Sequence, residues 1–428
     1  MADLRIKPVK QLKGEIILPG DKSISHRAFL ISALAEGESL LDGVQEGGDC
    51  RSTFQALLGF GVEIERKGRR FLVKGKGKQG FQEPDSVIDC GNSGTTMRLL
   101  SGIAAGLPYT TRLDGDSSLR QRPMARIAEP LRRMGARVLG QKGDFPPLSI
   151  RGGSLSGIKY LMPVASAQVK SCLLLAGLFA SGETTVIEPF QTRDHTERML
   201  KYFGVTTSYT TNTIVIRGGQ RLTGQKVKIP GDFSAAAFFL TAAIIVPKAE
   251  LLIRQVGLNS TRTAFLQVLQ KMGADISIEN QREESGEPVG DIVVKSGIPL
   301  KGMTVEGSLI PNLIDEIPLL AILGIFAQGK TEIKNAQELR IKESDRIASI
   351  VTELRRMSVR IEEKEDGFVI FGPQRIKGAR VYSHFDHRIA MALAIAGLAA
   401  EGETVIQDSE CIAISFPDFE RTLLSLLG

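Results

Sequence analysis

The chain contains no tryptophan, four histidines, four cysteines and only 6% aromatic residues. So few aromatic rings argue against the stacking platforms on which nucleic-acid bases rest. No nucleic-acid partner is therefore expected, although a net charge of +6 and a pI near 9.1 favour some anionic ligand. Cys50, Cys90, Cys172 and Cys411 are far apart and form no CxxC pair. A disulfide framework or a zinc site is thus disfavoured, and reduced thiols in a cytoplasmic protein are the expectation. The histidines form no HExxH pattern, so no metal is expected. The longest apolar run, Ala235–Val246, is too short to span a bilayer, and the opening MADLRIKPVKQLKGEIILPG has no signal-peptide core. No membrane role is expected. There is no GxxxxGK[ST] loop, no GxGxxG after a strand and no GxSxG elbow. Nucleotide hydrolysis, dinucleotide redox chemistry and serine-esterase chemistry lose support accordingly.

What is present is repetition. The 428 residues, 42% hydrophobic and 24% charged, suit a globular protein with more than one core. One phrase recurs as LLGFGVEIE at Leu57, LRRMGARVL at Leu131, LKYFGVTTS at Leu200, LQKMGADIS at Leu269, LRRMSVRIE at Leu354 and a truncated LLSLLG at Leu423. Each reads as a helix end, a glycine stop and a strand-like alternation. The fifth copy has Ser358 at the glycine position, so a different stop is expected there. The spacing is about 70 residues, longer than most solenoid units. The basic run Lys74–Lys78 (KGKGK) reads as a solvated hairpin loop.

A second phrase recurs in step: an apolar helix, a small-residue turn and a strand, as in LISALAEGESLLDG, LLLAGLFASGETTVIEP and LAIAGLAAEGETVIQDS. Helices alternating with strands argue for an α/β protein with helices buried against sheets. Six such units make two domains of three. Just before the six apolar helices stand GDKSISHR, CGNSGTTMR, VASAQVKS, PGDFSAAA, PNLIDEIP and FDHRIAM. Such residues cap helices, and helix N-termini also attract anions. Ordinary capping does not account for the Lys and Arg that join several of them.

The basic positions form clusters: Lys22 and Arg27 with Ser23; Arg122 before a helix; Lys170 and Arg193 around the third apolar helix; Lys342 and Arg346; and Arg388. Arg suits bidentate grips on carboxylate or phosphate, and Lys serves as a point charge or proton donor. Together they point to a ligand with several anionic groups. Asp315 and Glu316 open the apolar run of LIDEIPLLA, as helix-end charges or as a general base kept ionised by nearby cations. Glu343 lies in KESDR, where Lys342 and Arg346 would share a face if the segment is helical. It reads either as a salt-bridge partner or as a proton-transfer carboxyl.

The motifs LPGDKSISHRAF, GNSGTTMR, RPMARI, SAQVKS, DFSAAAF, IDEIP, RIKESDR and DHRIAM resemble those of the 5-enolpyruvylshikimate-3-phosphate synthase family. They run from about Leu18 to Pro417, and SAQVKS, TRDHTE and ELRIKESDR are more similar to its bacterial class II branch. The resemblance implies a two-domain inside-out α/β barrel, each domain three β/α repeats around buried helices. It implies a first domain of residues 1–20 plus 232–428, a second of 21–231, and an active site in the cleft between them that closes on substrate. It also implies transfer of an enolpyruvyl group from phosphoenolpyruvate to the 5-hydroxyl of shikimate 3-phosphate, in aromatic amino-acid biosynthesis, with no cofactor and as a monomer. Matched position by position, Lys22, Ser23, Arg27, Ser166, Ala167, Gln168, Arg193, Asp315 and Lys342 would contact shikimate 3-phosphate. Lys22, Gly94, Arg122, Gln168, Arg346 and Arg388 would contact phosphoenolpyruvate. Asp315 would be the base toward the hydroxyl, and Glu343 and Lys22 would serve the methylene carbon and the leaving phosphate. The implied chemistry is addition to a tetrahedral ketal followed by elimination.

Two positions depart from the class I pattern or tune it. Ile414 stands where class I members carry a Lys, and it receives no role. Gly94 is a position where glyphosate-insensitive members often carry Ala, so sensitivity to glyphosate is expected. One rival is the sister enolpyruvyl transferase acting on a UDP-sugar, which usually has a Cys before its RP pair; DGDSSLRQRPM has none. The other rival is a non-catalytic polyanion binder, with steeply salt-dependent binding.

Overall fold

The computed structural model describes residues 3–427. It forms two compact units. One comprises Met1–Pro19, Gly231–Arg282 and Pro288–Gly428, and the other comprises Gly20–Pro230 and Glu283–Glu287. The expected 232–428 block is therefore interrupted, because the tip of the hairpin between strands Asp275–Glu284 and Glu287–Lys295 groups with the second unit. Met1, Ala2 and Gly428, at the ends of the expected first domain, lie outside the described residues.

Each unit has its own core built around helices that are buried on nearly every side. In the first unit these are Phe233–Ile245, Ile317–Phe326 and His387–Gly397. In the second they are Lys22–Leu34, Gly94–Ala105 and Ala167–Gly177. A helix that is apolar all round has to be enclosed. Each buried Phe, Leu or Ile adds about 1.5–3 kcal/mol of transfer free energy. Small sheets supply the enclosure. In a representative one, strand Ile88–Asp89 pairs parallel with Thr110–Asp114 (Ile88 opposite Leu113). Phe145–Arg151 pairs antiparallel with Thr110–Asp114, and Arg137–Gln141 pairs antiparallel with Phe145–Arg151. The helices lie inside and the sheets outside, as the buried repeats required.

The parallel lead strands reveal how the chain crosses between units. Strand Leu12–Ile17 leads into helix Lys22–Leu34 of the second unit, yet it pairs with Ala249–Gly257 of the first. Strand Lys226–Lys228 leads into helix Phe233–Ile245 of the first unit, yet it pairs with Glu36–Asp42 of the second. Both crossings are Pro-Gly-Asp. Asp21 N donates to Pro230 O at 2.8 Å, and Asp232 N donates to Pro19 O at 2.9 Å. A Cβ on Gly20 would stand 1.8 Å from Gly43 O, so only glycine fits.

Three expectations need correction. Ser358 does not require a different helix stop. It takes the left-handed conformation itself (φ 68°), and Val359 N donates to Leu354 O at 3.0 Å. That closure matches Val62 N to Leu57 O (3.1 Å), Ala136 N to Leu131 O (3.0 Å) and Val205 N to Leu200 O (2.9 Å) in the glycine copies. Most of the KGKGK run is not a loop, because residues 74–76 end the strand Arg70–Lys76 and only Gly77 and Lys78 lie beyond it. The two strand lysines pair with carboxylates of the adjacent strand Glu63–Lys67, Lys74 with Glu65 at 2.5 Å and Lys76 with Glu63 at 2.7 Å. Finally, Lys342 and Arg346 share no helix face. Lys342 follows a 3-10 turn (Gln337–Ile341), and the next helix begins only at Arg346, capped by Asp345.

Candidate functional site

In the second unit the sequence-predicted residues gather at helix N-termini. Asp21 caps helix Lys22–Leu34 by accepting from Ile24 N at 2.9 Å, which places Lys22 and Ser23 on the first turn. Lys22 Nζ lies 2.9 Å from Asp49 Oδ2, so its ammonium is held at the mouth of the helix. Ser93 caps helix Gly94–Ala105, accepting from Thr96 N at 3.1 Å. Ser166 caps Ala167–Gly177, accepting from Val169 N at 3.4 Å. The Ser166 hydroxyl is thus engaged in capping, and Ala167 is the first residue of the helix.

Gln168 joins two of these openings. Its Nε2 donates to Thr95 Oγ1 at 2.8 Å, and its Oε1 accepts from Arg98. Arg122 donates to Asn92 Oδ1 at 2.7 Å and to Ser118 Oγ at 3.2 Å. A Cβ on Gly94 would lie 3.2 Å from Arg98 Nη1 and 3.5 Å from Arg122 Nη1, so Gly94, Arg98, Arg122 and Gln168 border one spot. Arg98 was missed by sequence reasoning. It lies four residues after Gly94 in GNSGTTMR, so helical spacing could have found it. Asp49, isolated in the sequence, had no comparable signal.

Arg27 is buried, and its guanidinium donates to Thr196 Oγ1 (2.7 Å), Ser23 O (2.8 Å) and Ser171 Oγ (2.7 Å). Burial pushes its pKa down to about 10, opposed by the Glu197 carboxylate, while the nearby Arg193 lowers it further. Arg27 therefore ties the Ser23 turn to the helices carrying Ser171 and Thr196. Lys170 is no surface cation. It is fully buried between Glu197 (2.8 Å) and Glu188 (3.1 Å). Burial alone would lower its pKa, but the two carboxylates outweigh that and raise it. His26, also buried, meets Thr53 Oγ1 at 2.7 Å, and Thr53 meets Thr96 Oγ1 at 2.6 Å. This chain of hydroxyls locks the openings of two helices together.

In the first unit the candidates converge on Arg346. Its Nε donates to Asp386 Oδ2 at 2.8 Å, its Nη2 to Glu343 Oε2 at 2.6 Å and its Nη1 to Asp315 Oδ1 at 3.3 Å. Burial acts to lower the Arg346 pKa, but Asp386, Glu343 and Asp315 together raise it. Burial acts to raise the Asp386 pKa, and Arg346 keeps it low. Asp386 also caps helix His387–Gly397, accepting from Arg388 N at 2.9 Å. One carboxylate thus holds the Arg346 guanidinium and caps the helix turn from which Arg388 projects, and sequence reasoning had passed over it within the motif DHRIAM.

Arg388 Nη1 donates to Asp315 O at 3.3 Å and to Ser234 Oγ at 3.1 Å, and its Nε is 3.6 Å from Asp315 Oδ1. Lys342 is half-buried beside these groups. Desolvation lowers its pKa, which Asp315 partly offsets and Arg346 reinforces. The cluster holds three carboxylates, Asp315, Glu343 and Asp386, against the Arg346 guanidinium. That arrangement suits anion binding and proton transfer.

A family model described as EPSP synthase (3-phosphoshikimate 1-carboxyvinyltransferase) matches residues 6–423. The chain is 53% identical over 425 residues to a 3-phosphoshikimate 1-carboxyvinyltransferase of Thermodesulfovibrio yellowstonii, covering 99% of each. It is 50% identical over 427 residues to the one of Bacillus cytotoxicus, covering 100% of each. An EPSP synthase structure from Acinetobacter baumannii matches with a TM-score of 0.90 at 43% identity, covering 99% of this chain and 98% of that one. The enolpyruvyl transferase NikO from Streptomyces tendae matches with a TM-score of 0.81 at 17% identity, covering 99% and 96%, a likeness of fold. Among the described residues no single helix is long and apolar enough to cross a membrane. The chain belongs to the EPSP synthase (3-phosphoshikimate 1-carboxyvinyltransferase) family.

Proposed function

We propose that the two side-chain clusters serve one pair of substrates, phosphoenolpyruvate and shikimate 3-phosphate. The activity is that of the family: the chain is a transferase of the shikimate pathway, a 3-phosphoshikimate 1-carboxyvinyltransferase. The observation that carries the site reading is the Arg346 hub, which ties Asp315, Glu343 and Asp386 to a buried cation. In this reading Arg122, Arg346 and Arg388 grip the phosphate and carboxylate of phosphoenolpyruvate beside Gly94, with Lys22 and Gln168 touching both substrates. Ser23, Ser166, Ala167, Arg193 and Lys342 hold the phosphorylated ring, and Arg27 acts by fixing the Ser23 turn.

The chemistry follows from charge. Proton delivery to the methylene carbon, by Glu343 or Lys22, makes the adjacent carbon electrophilic. Asp315 takes the proton of the 5-hydroxyl as that oxygen adds to give a tetrahedral ketal. Loss of a methyl proton then re-forms the double bond as the C–O bond to phosphate breaks. The cations are in place beforehand, so much of the acceleration is positioning and preorganised electrostatics. We further infer a monomer working in the cytoplasm.

The test is phosphate release. The protein incubated with phosphoenolpyruvate and shikimate 3-phosphate should release inorganic phosphate, whereas phosphoenolpyruvate with a UDP-sugar should release none. Silence with shikimate 3-phosphate, together with salt-sensitive polyanion binding, would favour a non-catalytic binder.

A further inference from the structure

Behind Arg388 lies a buried polar cluster to which the reading above gives no role. Arg262, from the loop before helix Ala264–Met272, grips Glu316 with both terminal nitrogens, Nη1 to Oε2 and Nη2 to Oε1, each at 2.9 Å. The pair is almost wholly enclosed, with side-chain exposures of 3% and 0%. The Arg262 guanidinium also lies 5.8 Å from the Phe233 ring centroid, so it has little room to move. A buried ion pair is a costly arrangement unless its remaining polar atoms are satisfied. Here they meet at Ser234.

Ser234 sits on the first turn of helix Phe233–Ile245, capped by Asp232. Its hydroxyl donates to Glu316 Oε1 at 2.6 Å, accepts from Arg262 and accepts from Arg388 Nη1 at 3.1 Å. A hydroxyl has one proton and two lone pairs, and all are engaged. The proton is committed to the carboxylate, so both lone pairs must face the two guanidinium groups. Arg388 is then held at a fixed angle by Ser234 Oγ and Asp315 O. Glu316 directly follows Asp315, so the same clamp fixes the peptide that presents Asp315 O.

We propose that Ser234 is a positioning residue for Arg388, with the Arg262–Glu316 pair as its anchor. Ser234 touches no substrate in this scheme; it sets the orientation in which Arg388 meets phosphoenolpyruvate. The inference rests on the reading of Arg388 as a phosphoenolpyruvate-binding cation.

The test is steady-state kinetics on wild type, Ser234→Ala, Ser234→Cys and Arg388→Lys, with melting temperatures measured alongside. Cysteine keeps the volume but is a poor hydrogen-bonding partner, so it serves if the alanine variant does not fold. The KM for phosphoenolpyruvate should rise roughly tenfold in both Ser234 variants, the scale of one hydrogen bond to a charged group. The KM for shikimate 3-phosphate should stay within about twofold, a split that general loosening of the fold would not produce. Unchanged KM for phosphoenolpyruvate in a folded Ser234 variant, or parallel rises for both substrates, overturns the proposal. An Arg388→Lys variant with unchanged KM for phosphoenolpyruvate overturns the reading of Arg388 instead.

Discussion

Arg346 Nη1 stands 3.3 Å from Asp315 Oδ1, while the other nitrogens of the same guanidinium hold Glu343 and Asp386. Asp315 is therefore both aimed and electrostatically supported, as a base for a hydroxyl should be. Asp315→Ala should lower kcat by roughly 10²–10⁴, the usual contribution of a positioned general base. Equilibrium binding of shikimate 3-phosphate, followed by calorimetry, should weaken far less. Near-normal turnover in the variant would remove Asp315 from the mechanism.

Gly94 offers a separate test, at the spot it borders with Arg98 and Arg122. An added methyl would press on Arg98 at 3.2 Å, so that guanidinium must yield by a few tenths of an ångström, and it would come into ordinary van der Waals contact with Arg122 at 3.5 Å. Gly94→Ala should raise the half-inhibitory concentration of glyphosate roughly tenfold or more, the scale of one methyl in a tight pocket. The KM for phosphoenolpyruvate should rise as well, by a smaller factor. Inhibition curves that superimpose for wild type and variant would sink this account.

Much of this was legible in the chain, and the parts that were not share a cause. The repeats announced the buried helices and their caps, because capping and apolar periodicity are local. Asp315, Arg346 and Arg388 could be singled out because they stand at helix openings within distinctive motifs. Arg27 and Lys170 are charged residues on the same kind of helix, yet they face inward to Thr196 and to Glu188 and Glu197. Which face of an all-round buried helix meets a partner is decided by distant segments, and no local pattern encodes it. Asp49, Arg262 and Ser234 escaped notice for the same reason, since their partners lie at 22, 316 and 388.

Ser358 shows a repeat carrying a local cost. Four copies stop their helices with a glycine in the left-handed region (Gly61, Gly135, Gly204 and Gly273), and Ser358 adopts φ 68° to make the same closure. A side chain there is unfavourable by about 1–2 kcal/mol, partly offset by the extra chain entropy of an unfolded glycine. Ser358→Gly should therefore stabilise the protein by roughly 0.5–1 kcal/mol, read as a higher urea midpoint, with kcat and both KM values unchanged. A lower midpoint would mean that the serine side chain makes a compensating contact.

His26 should leave a signature in acid. It is buried with Nδ1 against Thr53 Oγ1, and burial pushes its pKa down to about 3, against a weaker opposing pull from Asp49. An unfolded histidine titrates near 6.5, so between about 6.5 and about 3 the unfolded chain binds a proton that the folded chain does not. Stability must then fall as pH falls through that window, by up to about 1.4 kcal/mol per pH unit for this one proton, and level off below it. His26→Asn, which can still meet Thr53, should be somewhat less stable at pH 7 but should lose stability less steeply. Urea unfolding at pH 7, 6, 5 and 4 reads the difference directly: the gap between wild type and variant should narrow as the solution is acidified. Parallel curves over that range would mean that His26 takes up its proton without leaving the folded state.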